Sequence, residues 1–174
     1  MSVSNSEKLR ECISLIGESA PDDPAWSAAK LRWLLFYCDF TAFAKLASSI
    51  TGAEYVRSPS GPSPRGFESA LQSSLTGGEL RNDFRVLRPS KPKRELFSTE
   101  ELSLIAEAIL RFRDWTPEEI LDRGLPFVGW DLAEIGEGIP YEIALVGKRE
   151  PTRDEVEYSR SLHSIAAESL AGDG

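Results

Sequence analysis

The residues that could act as catalysts in this chain are few and widely spaced. His163 is the only histidine, so a Ser–His–Asp or Cys–His nucleophilic arrangement would have to use it. It falls in a polar segment near the C-terminus, where a lone histidine is usually a solvated side chain. A small hydrolase that uses His163 is therefore an alternative that we keep but do not favour.

Two adjacent pairs of glutamates resemble acid–base groups, Glu100–Glu101 and Glu118–Glu119. Each pair follows a hydroxyl residue, Ser98 or Thr116, at the spacing of a capping box, in which a serine or threonine and a glutamate close the first turn of a helix. Carboxylates in a first turn also interact favourably with the helix dipole. We therefore predict that these glutamates begin helices and do not catalyse a reaction.

The two cysteines, Cys12 and Cys38, both fall on apolar helical stripes. Such positions favour buried free thiols over a disulfide or a metal site. The sequence contains no CxxC motif, no histidine cluster and no set of carboxylates at metal-ligand spacing. We therefore expect no enzyme, no cofactor and no bound metal.

The net charge of −8 is unevenly distributed. Residues 81–94 carry a charge of +5, which leaves −13 for the rest of the chain. The six basic residues of this segment are Arg81, Arg85, Arg88, Lys91, Lys93 and Arg94. They could contact phosphates, so a DNA-binding autorepressor is a second alternative. An acidic body and the lack of a recognition-helix pattern argue against a nucleic-acid partner and favour a cationic one.

Residues 30–67 determine the rest of the predicted organisation. The first part has two apolar stripes at helical spacing, one through Leu31 and Cys38 and the other through Trp33 and Phe40. The stripes lie about 180° apart around the axis, so this helix should run between two packed layers. Asp39 lies beside them, and if it is buried it needs a hydrogen-bonding or basic partner.

The second part of this stretch changes character. Residues 53–57 alternate like a short strand, and the following SPSGPSPRGF contains three prolines and two glycines. These residues predict a rigid turn that is neither regular helix nor central strand. Residues 80–96 predict an irregular hairpin that pairs with the Tyr55 strand or forms a solvated loop.

Further helices are predicted on both sides of this stretch. They cover residues 5–18, 64–75, 99–113, 117–122 and 152–169. Asp23 followed by Pro24 predicts the start of the central helix. In the helix from residue 99, the spacing predicts a buried stripe of Leu102, Ile105, Ala106, Ile109 and Phe112. The predicted fold is mainly α, a compact helical bundle around a buried central helix with a small β-hairpin or three-strand element.

The order of these motifs resembles a known family. The helix "KL..LL.Y.DF" followed by "..ITG..Y.R...GP.PR.F", and the later IPYEIAL, resemble the Panacea domain of SocA-like antitoxins over residues 25–145. Members often carry a histidine shortly before the tryptophan that matches Trp130, and here the segment reads GLPFVGW without one. The resemblance divides the chain into an N-terminal helix and linker (1–24), a Panacea-like domain (25–146) and a C-terminal helix with a disordered tail (147–174).

The resemblance implies an antitoxin that binds and neutralises a cognate protein toxin encoded by an adjacent gene. Neutralisation would proceed by direct occlusion of the toxin or by delivery to an ATP-dependent protease. We predict six partner-binding residues on the rigid turn and the helix beside it: Asp39, Tyr55, Arg57, Pro62, Arg65 and Phe67. Core packing is the alternative for Tyr55 and Phe67, and a surface ion pair is the alternative for Arg65.

Location and assembly follow from weaker signals. The sequence has no run of about 18 apolar residues and no apolar region typical of a signal peptide, so we expect a cytoplasmic protein with no membrane partner. A homodimer stays open at this point.

Overall fold

The computed structural model describes residues 5–74, 91–125, 129–146 and 157. Its helices are α1 (Asn5–Gly17), α2 (Ala28–Leu46), α3 (Phe67–Ser74), α4 (Thr99–Phe112), α5 (Pro117–Glu119) and α6 (Gly129–Leu132). Its strands are β1 (Tyr55–Ser58), β2 (Gly61–Pro64) and β3 (Gly138–Ile139), which form one sheet in the order β2-β1-β3. The predicted mainly α fold with a small strand element is therefore confirmed.

Helix α2 is buried around almost its whole circumference. Leu31 and Phe40, which lie on opposite sides of the helix, both have no exposed surface. Helices α1 and α4 pack against α2, and so do β2 and the 3₁₀ turn Tyr141–Leu145. The prediction that the central helix runs between packed layers is confirmed.

The start of α2 differs from the prediction. Ser27, not Asp23, caps the helix: its backbone is extended and its hydroxyl accepts a hydrogen bond from the N–H of Lys30. Asp23 instead accepts from the N–H of Ala25. Its other oxygen lies 2.5 Å from the fully buried Nζ of Lys30, an ion pair rather than a well-directed hydrogen bond. Asp23 thus accepts a hydrogen bond in the turn before α2 and neutralises the buried ammonium of Lys30. An unpaired buried cation costs more free energy than the loss of a helix cap.

The sheet is built around β1. Tyr55 pairs with Pro64 on one side and with Ile139 on the other, both antiparallel. The predicted strand at Tyr55 is confirmed, but its partners come from the Pro/Gly segment and from residues 138–139. Of the hairpin predicted at residues 80–96, residues 80–90 lie outside the described residues. The described remainder includes a 3₁₀ turn, Arg94–Leu96.

Helix α4 begins as predicted. Ser98 and Glu101 form a capping box, and Thr116 and Glu119 form a second one at α5, which continues as the π-helical turn Ile120–Gly124. The C-terminal helix predicted at residues 152–169 lies outside the described residues except for residue 157.

The buried stripe predicted for α4 was partly wrong. Ile105 and Phe112 are buried as expected, but Ala106 is exposed and Leu102 and Ile109 are only half-buried. The core instead uses Leu104 and Ala108. Both stripes have helical spacing, so the pattern alone could not decide which one faces α2.

The two-sided burial of α2 gives a first testable prediction. Leu31→Ala and Phe40→Ala should each lower the free energy of unfolding, by about 2–5 and 3–5 kcal/mol respectively, because each leaves a cavity on a different side of the helix. Urea denaturation followed by circular dichroism measures both. Leu46→Ala, at a position that is 40% exposed, is the control and should change stability by well under 1 kcal/mol. A near-neutral result for either buried variant would contradict burial on both sides.

Candidate functional site

The hairpin β1–β2 and its surroundings contain the six residues that the sequence predicted for partner binding. Asp39, Tyr55 and Phe67 have at most 2% of their surface exposed, and Pro62 is also buried. Arg57 is half-buried, whereas Arg65 is exposed. The structure therefore separates residues that hold the hairpin in place from residues that a partner could contact directly.

Asp39 joins α2 to the segment that leads into β1. Its carboxylate accepts hydrogen bonds from the Thr51 N–H at 2.7 Å, the Thr51 hydroxyl at 2.6 Å and the Tyr55 hydroxyl at 2.6 Å. The sequence expectation that a buried Asp39 needs a hydrogen-bonding partner is met by a backbone group and two hydroxyls. Hydrogen bonds to a charged group contribute about 1.5–3 kcal/mol each, so this contact is a strong constraint on the start of the hairpin.

Burial affects the ionisation of this cluster. Desolvation raises the pKa of Asp39 above its ordinary value of 3.8, although the hydrogen bonds from Thr51 and Tyr55 act in the opposite direction. Burial, and then the nearby Asp39 charge, also raise the pKa of Tyr55 well above its ordinary value. Tyr55 therefore stays a neutral hydrogen-bond donor, and the cost of burying the carboxylate exceeds what its hydrogen bonds recover.

Aromatic rings fill the space between α2 and the sheet. The Tyr55 ring meets Phe36 and Phe40 edge-on at centroid distances of 5.4 and 5.5 Å. Tyr141 packs on Phe40 at 4.7 Å, and its hydroxyl donates to the Ala53 carbonyl at 2.5 Å. The aromatic side of α2, opposite its leucine side, is thus the surface against which the hairpin packs.

The turn of the hairpin requires glycine at position 61. Gly61 has a φ of +114°, and a Cβ atom there would lie 3.1 Å from Nε1 of Trp33. Pro62 pairs with Arg57 and Pro64 with Tyr55. Neither proline has an N–H to offer to a further strand, so β2 is a protected edge. The Pro/Gly segment forms the turn of the hairpin and this edge strand, which agrees with the prediction that it is neither regular helix nor central strand.

Arg57 links the hairpin to α6. Its guanidinium donates to the carbonyl oxygens of Trp130 at 2.8 Å and Ala133 at 2.5 Å. The same group lies 4.8 Å from the centre of the Trp130 ring. Since cations are stabilised at the C-terminal ends of helices and on aromatic faces, Arg57 is held firmly and is not a free contact residue.

The other predicted residues lie at the base of the hairpin. Arg65, whose side chain is 70% exposed, pairs with Glu54 at 2.9 Å, which is the surface ion pair foreseen as its alternative. Phe67 is in the core, as its alternative foresaw, and the Arg32 guanidinium lies 4.7 Å from the centre of its ring. Exposed ion pairs contribute little to stability, so Arg65 is available to a partner.

A cleft of about 430 Å³ lies beside the tip of the hairpin. Trp33, Arg57 and Trp130 form part of its wall, together with the turn residues 58–61 and the start of α5. Two apolar side chains at its border are open to solvent: Ile135 is 68% exposed and Leu121 is 37% exposed. Neither residue belongs to a motif in the sequence, although an isoleucine directly before Gly136 in a polar turn is a signal for an exposed apolar side chain.

The structure locates some of the residues that were considered as catalysts or metal ligands. In the ranges 5–74, 91–125 and 129–146, no group of three or more histidine, cysteine, aspartate or glutamate residues could hold a metal ion. Glu101 and Glu119 act as helix caps, as predicted. His163 lies outside the described residues.

The basic segment is only partly described, because its first three arginines fall outside the described residues. Lys93 and Arg94 form ion pairs with Glu7 and Glu18. These two charges are therefore partly neutralised by the protein itself. None of the helices described is both long and apolar enough to cross a membrane.

Comparison with protein families identifies a matching family. A family model described as "Antitoxin SocA-like, Panacea domain" matches residues 31–124, more than half of the chain. The matched range includes Asp39, the whole β1–β2 hairpin and helix α4. No curated protein and no solved structure matches the chain.

The positive φ of Gly61 gives a second prediction. Gly61→Ala should lower the free energy of unfolding by about 1–3 kcal/mol, because alanine is disfavoured at this positive φ and its Cβ would press on Trp33. Thermal and urea unfolding measure the change. Gly66→Ala is the matched control: its φ is also positive, at +78°, but no atom lies within 4 Å of the added Cβ. If both variants lost the same stability, the close contact with Trp33 would not constrain the turn.

The buried carboxylate gives a third prediction. A carboxyl whose pKa is raised on folding binds its proton more tightly in the folded state, so its contribution to stability falls as pH rises from the unfolded value of 3.8 through the folded pKa. The stability of Asp39→Asn, measured relative to the wild type by urea unfolding, should therefore improve as pH rises through this window. A difference that is constant with pH, or that changes in the opposite direction, would contradict the raised pKa.

Proposed function

The chain belongs to the SocA-like antitoxins with a Panacea domain, and we propose that it binds a cognate protein toxin, encoded by an adjacent gene, and neutralises it in the cytoplasm. Neutralisation by binding requires a rigid surface with exposed contact residues and does not require a catalyst. The observation that carries this proposal is the cleft at the hairpin tip, where Ile135 and Leu121 are exposed beside a turn that is firmly held.

The rigidity of this surface favours tight binding. The hairpin is held by the hydrogen bond between Asp39 and Tyr55 and by the hydrogen bonds from Arg57 to the end of α6. At the turn, Gly61 lies close to Trp33. A surface that is already ordered loses little conformational entropy when a partner binds. Exposed apolar side chains over aromatic walls are typical of the central part of a protein–protein interface.

The six residues predicted from the sequence divide into two roles under this proposal. Asp39, Tyr55, Pro62 and Phe67 act as positioning residues, since they are buried. Arg57 borders the cleft and positions α6, and Arg65 offers an exposed guanidinium at the base of the hairpin. The toxin would contact Ile135, Leu121 and the turn residues at the tip.

The acidic character of the chain agrees with a basic partner. The net charge is −8, and charge complementarity between two proteins accelerates their association and disfavours incorrect partners. We propose occlusion of the toxin as the primary route. Delivery to an ATP-dependent protease is a further step that could follow the same binding event, with the antitoxin acting as the adaptor.

The fourth prediction concerns this surface. Co-expression of the wild-type chain with the adjacent toxin gene should restore growth, and the two proteins should co-purify. Ile135→Glu should weaken the complex by about tenfold or more, because it places a charge in an apolar contact. Isothermal titration calorimetry of the purified proteins and growth rescue measure the effect.

The matched control for this experiment is Leu110→Glu. Leu110 is 71% exposed, close to the 68% of Ile135, but it lies on α4 away from the cleft lining. This variant should rescue growth as the wild type does. Failure of the wild type to rescue growth or bind the toxin would overturn the function, whereas full binding by Ile135→Glu would overturn only the surface.

A further inference from the structure

Glu118 is a carboxylate in the lining of the cleft at the hairpin tip, and the fold makes no visible use of it. In the capping box of α5, the neighbouring Glu119 accepts a hydrogen bond from the N–H of Thr116 and pairs with Arg123 at 2.8 Å. Glu118 is exposed and forms no hydrogen bond or ion pair with the described residues. Of the two glutamates that begin α5, Glu118 is therefore the one that is available to an incoming group.

The arginines around the cleft, by contrast, already have partners. Arg57 lines the cleft, but its guanidinium donates to two carbonyl oxygens at the end of α6, whose partial negative charge offsets it. Arg32 pairs with Glu68 at 2.7 Å, and Arg123 pairs with Glu119. These cations therefore do little to neutralise Glu118.

Three further carboxylates belong to direct chain neighbours of residues that line the cleft: Asp122, Asp131 and Glu134. All three are exposed, and none forms an ion pair with the described residues. Neighbouring Cα atoms are about 3.8 Å apart, and the Debye length at physiological salt is about 8 Å. These charges therefore contribute to the potential of the cleft even where their side chains point elsewhere. With Glu118 they outweigh Arg57, so the potential is negative.

The border of the same cleft is apolar. Ile135 and Leu121 are exposed, and Pro59 and Pro117 also belong to the lining. A side chain that fits here has to offer both an apolar surface and a positive charge. Lysine and arginine have this dual character, because an aliphatic stem carries the charged group. A purely apolar side chain would remove water from Glu118 without replacing it, and an acidic side chain would be repelled.

We infer that the cleft receives a lysine or arginine side chain of the toxin, with its stem along Ile135 and Leu121 and its charged end at Glu118. The inference rests on the proposed function, since it names the group that the cleft takes from the toxin. Glu118 is then the residue that determines specificity, because a carboxylate beside an apolar contact discriminates between cationic and other side chains.

The first test removes the charge of Glu118. Isothermal titration calorimetry of the purified full chain with the purified toxin of the adjacent gene measures the dissociation constant. Glu118→Gln should raise this constant by about tenfold, because the cation of the toxin loses its partner while the shape of the cleft is kept.

Glu100→Gln is the matched control for this test. Glu100 has the same place in the capping box of α4 that Glu118 has in the box of α5, one residue before the capping glutamate. It is also exposed, and it does not belong to the cleft lining. Both variants remove one negative charge and the same favourable interaction with a helix dipole. Glu100→Gln should leave the dissociation constant unchanged.

The second test determines the sign of the charge that enters the cleft. Ile135→Glu and Ile135→Arg both remove the apolar contact, but only the arginine adds a charge that repels a cation. Ile135→Arg should therefore weaken the complex by about a further tenfold relative to Ile135→Glu. Equal weakening would indicate an uncharged side chain of the toxin, and the reverse order would indicate an acidic one bound at Arg57. Either result would overturn the inference.

The third test identifies the basic side chain. Each lysine and arginine of the toxin is replaced by glutamate in turn, and each variant is titrated against the wild-type chain and against Glu118→Arg. One toxin variant should bind the wild type poorly and Glu118→Arg at least about tenfold better. A simple loss of folding could not produce this rescue, and its absence from the whole series would contradict the pairing with Glu118.

The outcomes separate this inference from the function on which it rests. A wild-type chain that does not bind the toxin would overturn the proposed function and this inference with it. A wild type that binds, with a Glu118→Gln variant that binds equally well, would overturn only the cationic side chain in the cleft. Circular dichroism and thermal unfolding of each variant show that a loss of binding is not a loss of the fold.

Discussion

The burial of α2 on both sides is the constraint on which the rest of the molecule depends. A helix whose leucine side and aromatic side are both apolar cannot be satisfied by one neighbouring layer. Helices α1 and α4, the hairpin and the turn Tyr141–Leu145 must therefore all pack against it, although they are far apart in the sequence. The fold can be understood as the set of segments needed to cover this one helix.

The same helix carries a buried carboxylate, and that makes the packing specific. An apolar side could accept the hairpin in several registers, whereas Asp39 is satisfied only when Thr51 and Tyr55 reach it. The raised pKa of Asp39 shows that this arrangement has a net electrostatic cost. Since an unpaired buried carboxylate would cost more still, Asp39 penalises arrangements that move Thr51 and Tyr55 away from it.

Sequence reasoning succeeded where one residue pattern permits one structure. The two stripes of α2, the capping boxes at Ser98 and Thr116 and the Pro/Gly turn each have a local physical cause, and the structure contains all three. It failed where tertiary contacts decide between local options. Asp23 could have capped α2, but the buried ammonium of Lys30 required it as an ion-pair partner. The candidate site shows the same limit, since Leu121 and Ile135 belong to no motif and matter only through a cleft that separate elements form together.

The wrong prediction for the buried side of α4 has the same cause, because tertiary contacts decide which apolar side of a helix is buried. The sequence predicted one broad stripe, and the structure divides it into a side that contacts α2 and a side that faces solvent. A stripe that is wider than one packing neighbour can cover costs free energy if it stays in water, at about 25 cal/mol for each Å² of apolar surface. The exposed side of α4 therefore keeps a cost in free energy that the packing against α2 does not remove, and the hydrophobic pattern alone does not show which side of the helix bears that cost.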